Sequence, residues 1–244
     1  SGTTAVSGGT CGAGCNGTLT NFASTASQDQ TAGTGWTAVN KRWGAGALAF
    51  DGATGGSGDY VQMPSGTAYD LGKSFAIEYW VNFQSLAGKS GNYFIQRGSG
   101  ATCDNWVNMV DAKGSLPQTI RFFSNKYQGD SPDTSLRSNI KENTWYHVVW
   151  SYNGSTFTGY LNGVVDVSKN ASFTINSVNT PLFIGSTFNC SSVQTAGVPM
   201  TMDAFRLYNR PLTAGEILAN YSAGNIEFQT RTGSDVSPND GSGW

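Results

Sequence analysis

The sequence predicts an all-β protein, a two-sheet antiparallel jelly-roll sandwich with one short C-terminal helix. Three observations lead to this class: short alternating apolar segments, the Gly, Asn, Asp and Pro residues that separate them, and the near absence of long helical periodicity. The 244 residues include 32 Gly, and only 12% of the chain is charged, against averages of about 7% Gly and about 25% charged residues. All-β domains commonly reach about 200–250 residues, so one domain accounts for most of the chain.

The strongest local signal is a meander over residues 145–167. Its alternating runs are separated by Asn153-Gly154 and Asn162-Gly163, and Asn-Gly accepts the positive φ at both central positions that a type I′ hairpin turn demands. Three consecutive antiparallel strands are therefore predicted, at 145–152, 155–161 and 164–167. Further strands are predicted at 47–50, 60–63, 75–83, 92–96, 107–111, 119–124, 182–184 and 202–208.

The predicted strand 75–83 has one apolar face and one mixed face. The mixed face carries Ala76, Glu78, Trp80 and Asn82. Because apolar and polar side chains alternate there, we expect this face to meet a partly wet groove rather than a dry core.

One short helix is predicted near the end of the chain. Thr213 and Glu216 have the spacing of a capping box, in which the hydroxyl accepts from the Glu216 amide and the carboxylate reaches back. The helix is expected to stop at Gly224, and its apolar face carries Ile217, Leu218 and Tyr221.

Charge and hydropathy exclude several classes of partner. The net charge of −2 provides no basic field for a nucleic-acid backbone or an anionic membrane. No apolar run approaches the roughly 18 residues of a membrane span. The many aromatic residues and the low charge also argue against disorder. We therefore expect no nucleic-acid partner and no membrane insertion.

The four cysteines predict disulfides rather than a metal site. A zinc site prefers closely spaced thiolate pairs with histidine, whereas the chain has a single His, His147. We favour Cys11–Cys15, since two Gly let that loop close, together with Cys103–Cys190, which would join two distant loops. Four free buried thiols are the alternative.

Disulfides and low charge together predict a secreted or cell-surface protein. Asn-x-Ser/Thr acceptors are frequent by chance in a chain this rich in Ser, Thr and Asn. The candidate glycosylation sites are Asn16, Asn153, Asn170, Asn189 and Asn220.

An ordered set of motifs resembles the laminin-G-like (concanavalin A-like lectin/glucanase) jelly-roll family over roughly residues 40–221. The set comprises GALAFDG at 46–52 with DYV at 59–61, WYHV at 145–148, YLNG at 160–163, LFIG at 182–185, and MDAFRLYNRPLTAGEI at 202–217. The resemblance implies two curved antiparallel sheets, a frequent structural Ca²⁺, and binding or adhesion more often than catalysis. It divides the chain into a Gly/Thr-rich segment with a small disulfide loop (1–39), the jelly roll (40–224) and a C-terminal strand or extension (225–244).

Ca²⁺ takes six to eight oxygen ligands from carboxylates and carbonyls of irregular loops. Asp51 lies in a Gly-rich turn near Asp59, and Asp203 begins the closing strand, which in the family lies near the opening one. We therefore expect Asp51, Asp59 and Asp203 as calcium ligands. The alternative is that Asp51 caps its own turn.

Catalysis is not expected from the motifs present. The E-x-D-x-x-E strand motif of related glucanases is missing, and Glu78 is the single carboxylate on its strand. Retaining glycosidases need two carboxylates about 5–5.5 Å apart. No G-x-S-x-G nucleophile motif accompanies His147, so we interpret His147 as a hydrogen-bonded sheet residue.

The expected function is non-catalytic extracellular recognition or adhesion, by binding a glycan or a cell-surface partner. Sugar faces stack on aromatic rings, and their hydroxyls pair with amides and carboxylates in a concave site. The ligand-binding candidates lie in variable loops, on a rim that a Cys103–Cys190 bridge would rigidify, and they are Trp106, Asp104, Asn105, Tyr127 and Tyr93.

A second function remains open from the sequence. The low charge and the abundance of Thr, Ser, Asn and Gly also suit a self-assembling cell-surface, pilus or filament subunit. The segment 226–232 alternates like a strand and could add to the open sheet edge of a neighbouring copy. The first twenty residues could do the same.

Overall fold

The computed structural model of the protein describes residues 4–23, 34–44, 46–53, 57–89, 91–98, 105–112, 118–185, 187–189, 192–194 and 197–223. Over these residues the chain forms two large antiparallel sheets that pack face to face, with a single α-helix. The predicted fold class is confirmed.

Sheet A has eight described strands. In spatial order they are β1 (Thr4–Ala5), β2 (Gly17–Thr20), β5 (Tyr60–Gln62), β16 (Leu182–Ile184), β7 (Asn92–Arg97), β8 (Trp106–Ala112), β9 (Gln118–Phe123) and β11 (Thr134–Ser135).

Sheet B has seven described strands. In spatial order they are β14 (Val164–Asn170), β13 (Thr156–Leu161), β12 (Trp145–Tyr152), β6 (Phe75–Phe83), β19 (Met200–Tyr208), β4 (Ala47–Phe50) and β3 (Gly35–Thr37). Two small ribbons pair β10 (Tyr127–Gly129) with β15 (Phe173–Ile175), and β17 (Thr187–Asn189) with β18 (Ser192–Gln194). Two 3₁₀ turns span Gly12–Cys15 and Thr67–Tyr69.

The core between the sheets is dominated by aromatic rings. Tyr152 and Phe173 stack at 3.9 Å, and Phe157 packs on Trp150 at 5.5 Å and edge-on to Phe122 at 5.1 Å. All of these rings except Phe173 are fully buried. Burying each one contributes roughly 1.5–3 kcal/mol, so the high aromatic content of the sequence is used mainly to hold the sheets together.

The meander is present as β12, β13 and β14, but its two turns differ. Asn162 and Gly163 both have positive φ, and Leu161 pairs with Val164, which is the predicted two-residue turn. In the other turn only Gly154 has positive φ. The Asn153 side chain there accepts from the amides of Ser155 and Thr156, which makes a four-residue Asx loop. The type I′ prediction at Asn153 is therefore wrong.

The helix α1 (Ala214–Ser222) has the predicted capping box. The Thr213 hydroxyl accepts from the Glu216 amide, and the Glu216 carboxylate accepts from the Thr213 amide. Ile217 is fully buried against the outer face of sheet B, where it packs in a cluster with Val149 and Tyr160. The predicted stop, Gly224, lies outside the described residues. No helix in the described ranges is long and apolar enough to cross a membrane.

The N-terminal segment is part of the sandwich. Residues 1–39 were set apart from the jelly roll by sequence, yet β1 and β2 extend sheet A and β3 extends sheet B. The Cys11–Cys15 disulfide is present as predicted. Cys103, Cys190 and the segment 225–244 lie outside the described residues.

The mixed face of β6 does not meet a wet groove as expected. Glu78 and Ala76 are fully buried, Trp80 is 2% exposed and Asn82 is 5% exposed. The reason is coverage from outside the sheet: Tyr221 of α1 stacks on Trp80 at 5.6 Å, and Trp43 meets the same ring edge-on at 5.7 Å.

Candidate functional site

A groove on the outer face of sheet B is the best candidate site. One row of the sheet runs across five strands, because Trp145 pairs with Asn82, Asn82 with Thr201, Thr201 with Ala49, and Ala49 with Gly35. Their neighbours along each strand point into the core, so this row points outward. Ala49 and Gly35 have little or no side chain, so the row sinks towards the edge of the sheet.

The groove has a volume of about 430 Å³, within the range of about 300–1,000 Å³ that small-molecule sites occupy. Its walls combine polar side chains with short apolar ones, and among its described lining residues Asp51 is the single charged group. The lining residues are Thr34, Gly35, Thr37, Val39, Asn40, Ala49, Phe50, Asp51, Gln84, Pro199 and Thr201.

Three amide side chains and one hydroxyl form a hydrogen-bonded cluster at the groove. Asn40 Nδ2 and Gln84 Nε2 both donate to Thr201 Oγ1, at 2.9 and 3.0 Å. Asn82 Nδ2 donates to Asn40 Oδ1 at 3.5 Å. Asn82 Oδ1 is buried and accepts no hydrogen bond. The amides are therefore fixed by one another, and one acceptor in the cluster is unused.

A half-buried indole flanks this amide cluster. Trp145 lies directly opposite Asn82 in the β12–β6 ladder, where Cβ atoms are about 4.5–5.5 Å apart. A sugar needs hydroxyl partners beside an aromatic surface for its C–H face, and this part of sheet B provides both.

Asp203 holds the loop that forms one wall of the groove. Its Oδ2 accepts from the main-chain amides of Arg42 and Trp43, at 3.2 and 2.9 Å. The Arg42 guanidinium lies 4.2 Å from the Trp43 ring centre and 4.5 Å from that of Trp80. These contacts fix residues 40–43, and with them the position of Asn40.

The structure does not assemble the three aspartates expected to bind calcium. Asp203 follows Met202, which pairs with Leu48, whereas Asp51 follows Phe50 at the other end of β4. The offset of four residues along the strand corresponds to about 13 Å. The expectation that Asp203 shares a site with Asp51 and Asp59 is therefore wrong.

Asp51 and Asp59 do lie together. Asp51 Oδ1 accepts from the amides of Ala53 and Asp59, and Asp59 Oδ2 accepts from the Asp51 amide. Burial and the neighbouring Asp51 charge raise the pKa of Asp59 to about 6, against the lowering effect of the hydrogen bond from the Asp51 amide. Among the described residues no cluster of three or more acidic, His or Cys groups could hold a metal. The described donors do not fit Ca²⁺, which stays a prediction from the family resemblance.

A second polar cluster lies under α1. His147 Nε2 is 2.8 Å from Glu78 Oε1, and both side chains are fully buried. The other Glu78 oxygen accepts from the Tyr208 hydroxyl at 2.6 Å and from Asn220 Nδ2 at 3.2 Å. Burial favours a raised pKa for Glu78, but the hydrogen bonds from His147 and Tyr208 outweigh it, and the pKa is lowered. The interpretation of His147 as a hydrogen-bonded sheet residue is confirmed.

Two of the predicted ligand residues are structural. Trp106 is fully buried in the core and donates from its indole nitrogen to the Tyr69 carbonyl. Asn105 is also fully buried and donates to the Asn176 carbonyl. Neither side chain has surface for a ligand, so these two predictions are corrected. Asp104 lies outside the described residues.

The two predicted tyrosines have different surroundings. Tyr127 is half-buried in β10 and packs against the core. Tyr93 is half-buried on the outer face of sheet A, where its ring lies 5.5 Å from that of Phe123. Neither tyrosine lines the groove, so these two ligand predictions do not belong to the candidate site.

The candidate glycosylation sites also differ in accessibility. Asn153 and Asn170 are exposed, whereas Asn16 is half-buried and accepts from the Ser7 amide. Asn220 uses its Nδ2, the atom to which a glycan is attached, as a donor to Glu78, so it is a poor acceptor in the folded protein. The side chain of Asn189 lies outside the described part.

Sequence reasoning missed the groove. Its lining residues Asn40, Gln84 and Thr201 were not singled out. They come from three separate segments, and the pairing of β6 with β19 places Thr201 beside Asn82, to which Asn40 is also bonded. The polar residue Asn82 on β6 was the nearest available signal.

The fold and groove define a jelly-roll β-sandwich with a polar site on one outer face. The profile of the concanavalin A-like lectin/glucanases superfamily matches residues 54–218. The chain belongs to that family. A comparison with curated protein sequences gives no match.

Several solved structures share the fold. Domain 4 of AbnA, a GH43 extracellular arabinanase from Geobacillus stearothermophilus in complex with arabinotriose, is 17% identical with a TM-score of 0.53, over 83% of this chain and 86% of that one. The native heptameric SAP-like pentraxin from Limulus polyphemus is 11% identical with a TM-score of 0.50, over 68% and 83%.

The binding domain of botulinum neurotoxin DC in complex with SialylT is 13% identical with a TM-score of 0.56. The match covers 86% of this chain and 47% of that one, so this chain spans about half of the toxin domain. At these identities the likeness shows the fold alone.

Proposed function

We propose that this protein is a non-catalytic glycan-binding module and that the groove on sheet B holds the sugar. The observation that carries the proposal is the polar set of Asn40, Gln84 and Thr201, which line the groove and are held in place by hydrogen bonds to one another and from Asn82. Amide and hydroxyl groups that are fixed in this way can pair with sugar hydroxyls at little cost in conformational entropy.

The charged groups that line the groove indicate which class of glycan it can bind. Asp51 is the single charged group among the described lining residues, so a sugar carboxylate or sulfate would meet no cation there. We therefore propose a neutral glycan. We propose binding without turnover, because the amides and the hydroxyl of the cluster can exchange hydrogen bonds with a sugar but cannot supply the acid and base that hydrolysis needs.

Two of the structural neighbours support glycan binding on this fold. The arabinanase domain is in complex with arabinotriose, a neutral sugar, and the neurotoxin binding domain is in complex with SialylT, an acidic one. The choice of a neutral ligand therefore rests on the groove of this chain alone, and we propose that the chain acts outside the cell, as a secreted or surface-displayed module.

The test is a neutral glycan array followed by calorimetry with the best ligand. We expect Asn40→Ala to weaken binding by about three- to tenfold, the value of one or two lost hydrogen bonds. Asn170→Ala is the matched control, because it removes an exposed amide from β14, far from the groove. The melting temperature of both variants should match that of the unaltered protein. A folded protein that binds no glycan, or binds one equally well after Asn40→Ala, overturns the proposal.

Self-association is the second candidate function. β14 is an edge strand of sheet B, and Val164 and Val165 on it are 62% and 56% exposed. Exposed apolar edge strands can pair with another chain. Light scattering across a concentration series tests this: a monomer at every concentration rejects it, and polymers lost after Val165→Lys support it.

A further inference from the structure

A second cavity lies inside the sandwich, where the edges of the two sheets separate. It has a volume of about 690 Å³. Its inner walls are apolar side chains from both sheets: Val61, Leu182 and Ile184 from sheet A, and Leu48, Phe50 and Met202 from sheet B. Polar and charged residues, among them Ser7, Thr10, Asp203 and Arg206, line its rim. A cleft of this size with apolar inner walls can accept an apolar small molecule. This interior cavity is called the cleft below.

The N-terminal segment covers the mouth of the cleft. Residues 5–11 line it together with Cys15, so the Cys11–Cys15 disulfide forms part of the rim. Val6 in this cover is 77% exposed. A short segment tied by a disulfide thus forms one rim of the cleft and leaves its interior unfilled.

A bulge in β19 shapes the opposite rim. The register of β19 on β6 shifts between Asp203 and Arg206, and Ala204 inside the bulge has φ of +52°. A left-handed conformation costs an alanine roughly 1–2 kcal/mol. Bulges of this kind redirect side chains next to ligand sites, and here Phe205 is partly buried at the edge of the core.

Tyr69 supplies a polar group at the cleft. Tyr69 lines the cleft and is 6% exposed, and its hydroxyl has no hydrogen-bond partner. Burial raises the pKa of this phenol, against the lowering effect of the nearby Arg97 charge. The hydroxyl therefore stays neutral and is available to a single ligand oxygen.

The charged side chains at the cleft already interact with other groups of the protein. Asp203 accepts from the amides of Arg42 and Trp43, and Arg206 lies 3.5 Å from Glu78. A charged ligand would lose its hydration among the apolar walls without gaining a partner. The cleft is suited to an uncharged molecule.

We propose that the cleft binds one uncharged, mainly apolar small molecule that carries a single hydrogen-bonding oxygen, such as a medium-chain alcohol. The oxygen pairs with the Tyr69 hydroxyl and the apolar part lies between the sheets. This site lies on the other side of sheet B from the groove, since β4 and β19 turn Ala49 and Thr201 outward to the groove and Leu48 and Met202 inward to the cleft; Phe50 is the one residue that lines both.

The experiment uses the uncharged fluorophore N-phenyl-1-naphthylamine as the probe and 1-decanol or decanoate as competitors. We expect the probe to gain fluorescence with one-to-one stoichiometry and 1-decanol to displace it at least tenfold more effectively than decanoate at pH 7. Ala68→Trp should abolish the fluorescence gain, because Ala68 is an exposed rim residue of the cleft. Thr67→Trp is the matched control, one residue away on the same 3₁₀ turn, exposed and outside the lining.

Tyr69→Phe separates the hydrogen bond from the shape of the cleft. It should leave probe binding unchanged and weaken displacement by 1-decanol by about three- to tenfold, the value of one hydrogen bond. The proposal is overturned if the folded protein gives no fluorescence gain, if the gain persists in Ala68→Trp, if decanoate competes as well as 1-decanol, or if Tyr69→Phe leaves displacement unchanged.

Discussion

The carboxylate of Glu78 lies 2.8 Å from the imidazole of His147, and no part of either side chain is exposed. The pair joins β6 to β12 beneath α1, and Tyr208 and Asn220 donate to the other carboxylate oxygen. Glu78 thus ties both neighbouring strands and the helix to the middle of sheet B.

Removing this carboxylate should destabilise the whole sandwich. Glu78→Ala leaves three donors without their acceptor, the fully buried His147 and the half-buried Tyr208 and Asn220, and we expect it to lower the free energy of unfolding by about 3–5 kcal/mol. Glu78→Gln keeps an acceptor oxygen and should lose less. Urea unfolding followed by circular dichroism measures both, and an Ala variant as stable as the unaltered protein would contradict this role.

We expect the protein to lose stability in acid because of the Glu78 carboxylate. Burial raises the pKa of Glu78, but hydrogen bonds from His147 and Tyr208 bring it below the ordinary 4.5. The stabilisation is therefore fully present above about pH 4.5 and is lost as the pH falls through the lower, folded-state pKa. Melting curves at stepwise lower pH should show a steep acid limb that becomes shallower in Glu78→Gln.

We expect the contribution of Asp59 to stability to depend on pH in the opposite direction. Its pKa is raised from 3.8 to about 6, chiefly by burial. Its contribution to stability is present below pH 3.8 and is lost as the pH rises through about 6. Asp59→Asn, which keeps an acceptor for the Asp51 amide, should remove this loss and melt at or above the unaltered protein at pH 7. Equal pH profiles for the two proteins would reject the buried carboxylate as the cause.

The position of Gly185 has no room for a side chain. Its φ is +90°, and a Cβ there would lie 2.3 Å from the Phe50 ring and 2.8 Å from the Asp59 carbonyl. We expect Gly185→Ala to cost roughly 2–5 kcal/mol through strain and overpacking. Gly66→Ala is the control, since a Cβ at Gly66 meets no atom within 4 Å. Chemical denaturation of the two variants should separate them clearly.

Two tryptophans should respond differently to truncation. Trp106 is fully buried, so Trp106→Ala should lower stability by about 3–5 kcal/mol. Trp145 is half-buried beside Asn82, so Trp145→Ala should melt near the unaltered protein yet weaken binding of a neutral glycan by about tenfold or more. Calorimetry measures the glycan affinity of both variants and thermal melts measure their stability. Full glycan affinity in Trp145→Ala would show that Trp145 does not contact the glycan.

Much of the fold could be predicted from local sequence patterns. Alternation and Asn-Gly turns predicted the meander, and the Thr213–Glu216 spacing predicted the helix cap, because each depends on residues close in sequence. The groove depends on the register between β3, β4 and β19 and on the position of Gln84 just after β6, which no local pattern specifies. Trp106 shows the same limit, since its position beside Asp104 and Asn105 looked like a loop rim until the sheets buried it.

Gly35 and Ala49 leave room for the groove because they have little or no side chain. Both positions face away from the interior, so a larger residue at position 49 would reshape the groove while leaving the packing between the two sheets unchanged. Single replacements on this exterior row could therefore give related chains grooves of different shape on an unchanged scaffold.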